Sequence, residues 1–133
     1  MNAPSADAHW TLERANRALP LVSRIADDIV RRYADWQALV GEFEVASIRH
    51  SPDAPDPEAL RLADAVHKAA MDIDGFMREL TKLGVECKSM EQGLLDFKGE
   101  MDARPVYFCW MRGERTVSHW HEIDAGFAGR QSI

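Results

Sequence analysis

Between Ala59 and Leu83 the apolar residues fall at Ala59, Leu62, Val66, Ala69, Ile73, Phe76, Leu80 and Leu83. The steps are of three and four residues throughout. A strand would scatter such a set over both faces, whereas a helix of 3.6 residues per turn gathers it into one stripe. Sustained over more than three heptads, the stripe reads as a coiled-coil seam, which needs a partner surface along its whole length. The helix has clear ends. Glu58 follows Pro57, a residue suited to a first helical turn, and Gly84 comes just after Leu83, where a left-handed backbone closes a helix.

The partner surface lies upstream. Val22, Ile25, Ile29, Tyr33, Trp36, Val40 and Phe43 form a second helical stripe, with Arg24, Asp27, Asp28, Arg31, Arg32 and Asp35 on the other side. Thr11 is a good N-cap. Pro20 lacks an amide hydrogen and clashes with the preceding turn, so the reading is a short helix ending at Leu19 and a long one from Pro20 to about Ser47. His50 to Pro57 carries three prolines and is a loop. The two long helices make an antiparallel, ROP-like hairpin. Ala34, Ala38, Ile48, Ala63 and Ala70 widen the stripes. The extra apolar width calls for cover, from the C-terminal segment or from a second copy that completes a four-helix bundle. A homodimer is therefore expected.

After Gly84 the period changes. Val85 to Cys87 is a short strand, Gly93 to Phe97 a second apolar island, and Val106 to Met111 the strongest strand in the chain. A two-residue turn at Gly113-Glu114 would return the chain through Thr116 to His121. In that register Trp110 faces Val117, Phe108 faces His119, Cys109 faces Ser118 and Tyr107 faces Trp120. The fold class is thus mainly α, a helical hairpin with a short N-terminal helix and a small antiparallel sheet. Residues 1–10 are expected to be a disordered leader. Residues 11–133 form one domain, helical over 11–83 and sheet and tail over 84–133.

Composition narrows the function classes. The net charge is −6, with 10 basic against 14 acidic residues up to Gly84 and 6 against 8 beyond it, so no basic stripe offers itself to nucleic acid. No apolar run is long enough for a membrane span, and the first residues lack a signal-peptide pattern. Cys87 and Cys109 are expected to be free thiols in a reducing cytoplasm.

Chemistry-bearing residues crowd the C-terminal segment. His119 and His121 on one strand face, with Glu114, Asp124 or Asp96, are candidate ligands for a divalent metal. Cys109 and His121 would make a thiolate–imidazole pair, but the expected register turns them to opposite faces. Asp96, Glu114 and His121 could serve acid–base chemistry. Alternatively, Arg130 clamps Asp96 or Glu114 and pins the tail to the sheet. Gly126 to Gly129 reads as a tight turn with Phe127 as an apolar anchor.

The motifs G-L-L-D-F (93–97), Y-F-C-W-M-R-G-E (107–114) and H-W-H-E-I-D-A-G-F-A-G-R (119–130), with T-L-E-R-A-N-R-A-L-P-L (11–21), resemble a bacterial family of uncharacterised proteins catalogued as a domain of unknown function. The likeness spans roughly residues 11–133. Its pattern includes Gly93, Leu94, Asp96, Phe97, Cys109, Trp110, Gly113, Glu114, Trp120, His121, Gly126, Phe127 and Arg130, but not His119. The resemblance implies a helical hairpin with a small C-terminal sheet and no particular activity. The expected function is a non-enzymatic cytoplasmic interaction or scaffold protein acting as a homodimer, without cofactor, nucleic acid or membrane. The alternative is a small-molecule- or metal-binding protein or enzyme, with a site formed by Asp96, Trp110, Glu114, Trp120, His121 and Arg130.

Overall fold

The computed structural model describes residues 9–133. Two helices come first, α1 (Leu12–Ser47) and α2 (Pro57–Leu83). A five-stranded antiparallel sheet follows in sequential order: β1 (Val85–Ser89), β2 (Leu94–Met101), β3 (Arg104–Met111), β4 (His119–Glu122) and β5 (Gln131–Ser132). The expected leader lies mostly outside the described residues. Its last residue, Trp10, is 4% exposed, and its indole N–H donates to the Gly84 carbonyl at 3.0 Å. Among the described residues no helix is long and apolar enough to cross a membrane.

The caps follow the residue chemistry. Thr11 Oγ1 accepts the Arg14 amide at 3.1 Å, Asp56 accepts that of Glu58 at 3.0 Å, and Gly84 closes α2 at φ 80°. The break expected at Pro20 does not occur, because α1 runs through it. The reason is packing on both sides of the proline. Ala15, Leu19, Val22, Ile25, Ala26 and Ile29 are all buried in one core with the sheet. Burial of that continuous stripe outweighs the roughly 3 kcal/mol penalty of an interior proline.

The helices meet along the seam, tied across by Arg32 to Asp72 at 3.0 Å. The sheet covers only the base of this hairpin. Leu95, Phe97, Val106, Phe108 and Trp110 face α1 and the end of α2. Gly99 is forced to be glycine, since a Cβ there would lie 2.2 Å from the Trp10 carbonyl oxygen. Farther out, a second cluster of Ala46, Ala59 and Leu62 closes the hairpin's distal end. Ala34, Ala38, Ile48, Ala63 and Ala70, read as widening the stripes, are left exposed.

The β3–β4 register departs from expectation by one residue. Cys109 is opposite His119, Phe108 opposite Trp120 and Tyr107 opposite His121. The connection is longer than a two-residue turn, and β4 starts at His119, not Thr116. Asn16 of α1 is the cause. It accepts the Val117 amide at 2.8 Å and donates to the Val117 carbonyl at 3.2 Å. Val117 is thereby drawn out of the ladder into the core. Strand β2 also runs four residues past the apolar island, to Met101, and turns through Asp102 and Ala103, both with positive φ. That pair of left-handed residues gives the hairpin twist that an Asn-Gly sequence would usually announce.

Candidate functional site

Alternation along the strands turns Asp96, Tyr107, Cys109, His119 and His121 to the sheet face away from the helices. Asp96 and Cys109 are direct cross-strand partners, and the one-residue shift places His121 diagonally beside Cys109. The outcome reverses the expectation that Cys109 and His121 point apart. Asp96, Cys109 and His121 are all buried, and one ligand-type atom from each lies within 4.8 Å of the others.

The inner geometry is defined. His121 Nε2 lies 3.0 Å from Asp96 Oδ2, with both side chains almost wholly enclosed at 3% and 2% exposure. His121 Nδ1 lies 2.7 Å from the Glu122 carbonyl oxygen. A carbonyl only accepts, so Nδ1 carries a hydrogen. One further proton must then sit between Nε2 and the carboxylate, because two lone pairs at that distance repel. The other carboxylate oxygen, Oδ1, is buried without a hydrogen-bond partner among the described residues. Burial raises the Asp96 carboxyl above the ordinary range, and His121 only partly offsets it. Burial, with the charge of Asp96 next, pushes the Cys109 thiol up to about 12. A thiol held protonated in this way is no free nucleophile. Tyr107 tilts against the His121 ring with centroids 5.4 Å apart. A cavity of about 270 Å³ adjoins Asp96 and His121 and is also lined by Lys88, Tyr107, Asp124 and Phe127.

A second polar cluster holds the tail. Arg130 donates to both oxygens of Glu114, at 2.7 and 3.0 Å, and Glu114 Oε1 also accepts the Met111 amide at 2.7 Å. Burial alone would raise the Glu114 carboxyl, but Arg130 and the Met111 amide outweigh it and hold it low. His119 Nδ1 stands 3.6 Å from Glu114 Oε2. Gly126 sits at φ 66° and ψ −168°, a conformation essentially reserved for glycine. Phe127 does not insert as an anchor. It is 41% exposed beneath the Arg130 guanidinium, which lies 4.9 Å from its ring centre.

The sequence-derived candidates therefore divide. Asp96 and His121 form one pair, Glu114 and Arg130 another. Trp110 and Trp120 belong to the helix-side core: the Trp110 indole donates to the Glu114 carbonyl at 2.9 Å, and Trp120 packs against the core's edge. The metal set of His119, His121 and Glu114 is split as well, since His119 lies by Glu114 while His121 is held by Asp96. The residue that joins Asp96 and His121 is Cys109.

A family model described as "Uncharacterized conserved protein (DUF2203)" matches residues 8–133. The chain belongs to that family. The matched span takes in both polar clusters and both helices, so the site and its platform are part of the family's domain. No curated relative and no solved structure matches the chain.

Proposed function

We propose that this protein is a non-enzymatic interaction protein that works as a homodimer through the outer part of its helical hairpin. One observation carries the reading. Ala34, Ala38, Gly41, Val45 and Ile48 repeat at steps of four and three on the side of α1 away from its buried stripe, and all five are exposed. Val45 and Ile48 are 65% and 83% exposed, and Leu60 at the start of α2 is 55% exposed. This part of the hairpin projects past the sheet. Two helices packed only on each other beyond the sheet leave their outer sides open, and a second copy packed on the open stripe supplies a further layer. Small residues at Ala34, Ala38 and Gly41 allow close helix approach, while Val45 and Ile48 supply the apolar area.

Size-exclusion chromatography with light scattering tests this. The wild type is expected at twice the 15.0 kDa chain mass at micromolar concentration. The double variant Val45→Glu, Ile48→Glu is expected at the chain mass with an unchanged circular dichroism spectrum, since neither side chain contributes to the fold. A monomeric wild type, or a dimer untouched by the two glutamates, overturns the proposal.

A further inference from the structure

We propose that Asp96, Cys109 and His121 are the protein ligands of one divalent transition-metal ion, zinc foremost, with a fourth coordination position open to the adjoining cavity. The inference is independent of self-association, which concerns the opposite end of the molecule.

The three residues come from three adjacent strands, β2, β3 and β4, so the sheet itself fixes their spacing. A tetrahedral zinc ion with bonds of about 2.0–2.3 Å places its ligand atoms roughly 3.3–3.6 Å apart. A carboxylate oxygen, a thiol sulfur and an imidazole nitrogen within 4.8 Å of one another meet that requirement after small side-chain rotations. His121 is already oriented for it. Its Nδ1–H is spent on the Glu122 carbonyl, the outer contact that fixes a ligating imidazole and leaves Nε2 aimed inward. Nε2 points at Asp96, not at solvent.

Asp96 supplies the independent sign. Its side chain is 2% exposed and its Oδ1 has no hydrogen-bond partner among the described residues. A buried carboxylate oxygen left without a partner is costly, and a cation bound there removes the cost. The charges also close. A thiolate, a carboxylate and a neutral imidazole carry two negative charges between them, which one divalent ion cancels. The mix of oxygen, nitrogen and sulfur donors suits zinc, iron or cobalt and disfavours magnesium or calcium. With three protein ligands, the remaining position is for water or a small anionic ligand, and the cavity of about 270 Å³ beside Asp96 and His121 is where it would lie. Lys88, paired with Glu86 at 2.9 Å, also lines that cavity.

Loading is proton-coupled. The ion displaces the thiol proton and the proton shared by Asp96 and His121, while Nδ1 keeps its hydrogen. About two protons therefore leave for each ion bound, and affinity falls as the pH is lowered.

The experiment uses the full chain, reduced and stripped with a chelator, then titrated with Zn²⁺ and Co²⁺. Expected are one ion per chain, a thiolate-to-cobalt charge-transfer band, and a release of about two protons measured by calorimetry in buffers of different ionisation enthalpy. Cys109→Ser and Asp96→Asn keep the shape of the site. Each is expected to weaken zinc binding at least tenfold, the loss that removing even an outer partner produces. Cys109→Ser also abolishes the band. Should the folded wild type bind no stoichiometric metal, or bind it without the thiolate band, the proposal fails. Binding unchanged in both variants refers the ion to surface histidines and also overturns it. The wild-type cobalt spectrum keeps the question decidable if a variant does not fold.

Discussion

Replacing Asp96 with asparagine tests the reading of the Asp96–His121 pair without any metal. In the wild type one proton lies between Nε2 and a carboxylate that burial pushes toward its neutral form. Asparagine has nearly the same shape and offers an N–H to the Nε2 lone pair. The variant keeps a hydrogen bond of about 0.5–1.5 kcal/mol and removes a carboxyl that burial disfavours in its charged form. Its stability at pH 7 is expected within about 1 kcal/mol of wild type, on either side. Asp96→Ala, which empties the space and strands Nε2, is expected to cost about 2–4 kcal/mol. The pH dependence has a definite sign. The Asp96 carboxyl is raised in the fold, so its contribution is fully present below the unfolded value, near 3.9, and is lost as pH rises through the folded value. Wild type therefore loses up to about 1.4 kcal/mol per pH unit relative to Asp96→Asn over the interval where the unfolded chain has given up that proton and the fold still holds it, and the loss levels off once the fold releases it. The assay is urea unfolding by circular dichroism from about pH 4 to 9, with chelator and reductant, at one fixed chain concentration. A penalty above about 2 kcal/mol for Asp96→Asn at every pH, or a difference from wild type that does not change with pH, refutes the shared-proton argument.

Arg130→Met is expected to cost about 2–3 kcal/mol at pH 7, because it leaves the mostly enclosed Glu114 carboxylate with the Met111 amide as its main support. Glu114 is held low, so its contribution is present above the unfolded carboxyl value, near 4.3, and is lost as pH falls through the lower folded one. Urea midpoints of wild type and variant should therefore draw together progressively as pH falls below about 4, and a gap that does not narrow contradicts the assignment. Pro20→Ala is expected to stabilise by roughly 1–2 kcal/mol, the helix gain being partly offset by a freer unfolded chain. A lower thermal midpoint would mean that the proline shapes α1 in a way the core requires.

Much of the architecture is legible because the signals are local. The stripes on α1 and α2, the caps at Thr11 and Gly84 and the alternation of Val106, Phe108 and Trp110 against Tyr107 and Cys109 depend on neighbours a few residues away. Pro20 misleads for the same reason. Its penalty is local, whereas the burial that overrides it spans more than four turns of helix and a sheet formed by the distant second half of the chain. Strand β2 is under-read past Phe97 because Lys98 and Glu100 are exposed and Gly99 has no side chain to count toward an alternating pattern.

The candidate site is the harder case, and a single side chain explains why. Gly113-Glu114 is a sound two-residue turn by local rules, and with that turn Cys109 would face Ser118. The chain instead spends extra residues in the connection, because Asn16 offers both a donor and an acceptor to the backbone of Val117, 101 positions away. Those two bonds, together with burial of the Val117 side chain, outcompete the tighter turn. The side-chain period of a strand is two, so a shift of one residue suffices to bring His121 across to the face of Cys109 and Asp96. The identity of every residue in the Asp96, Cys109 and His121 cluster is plain in the sequence. Their meeting is not, because it is decided on another element, by an asparagine with no chemistry of its own at the site.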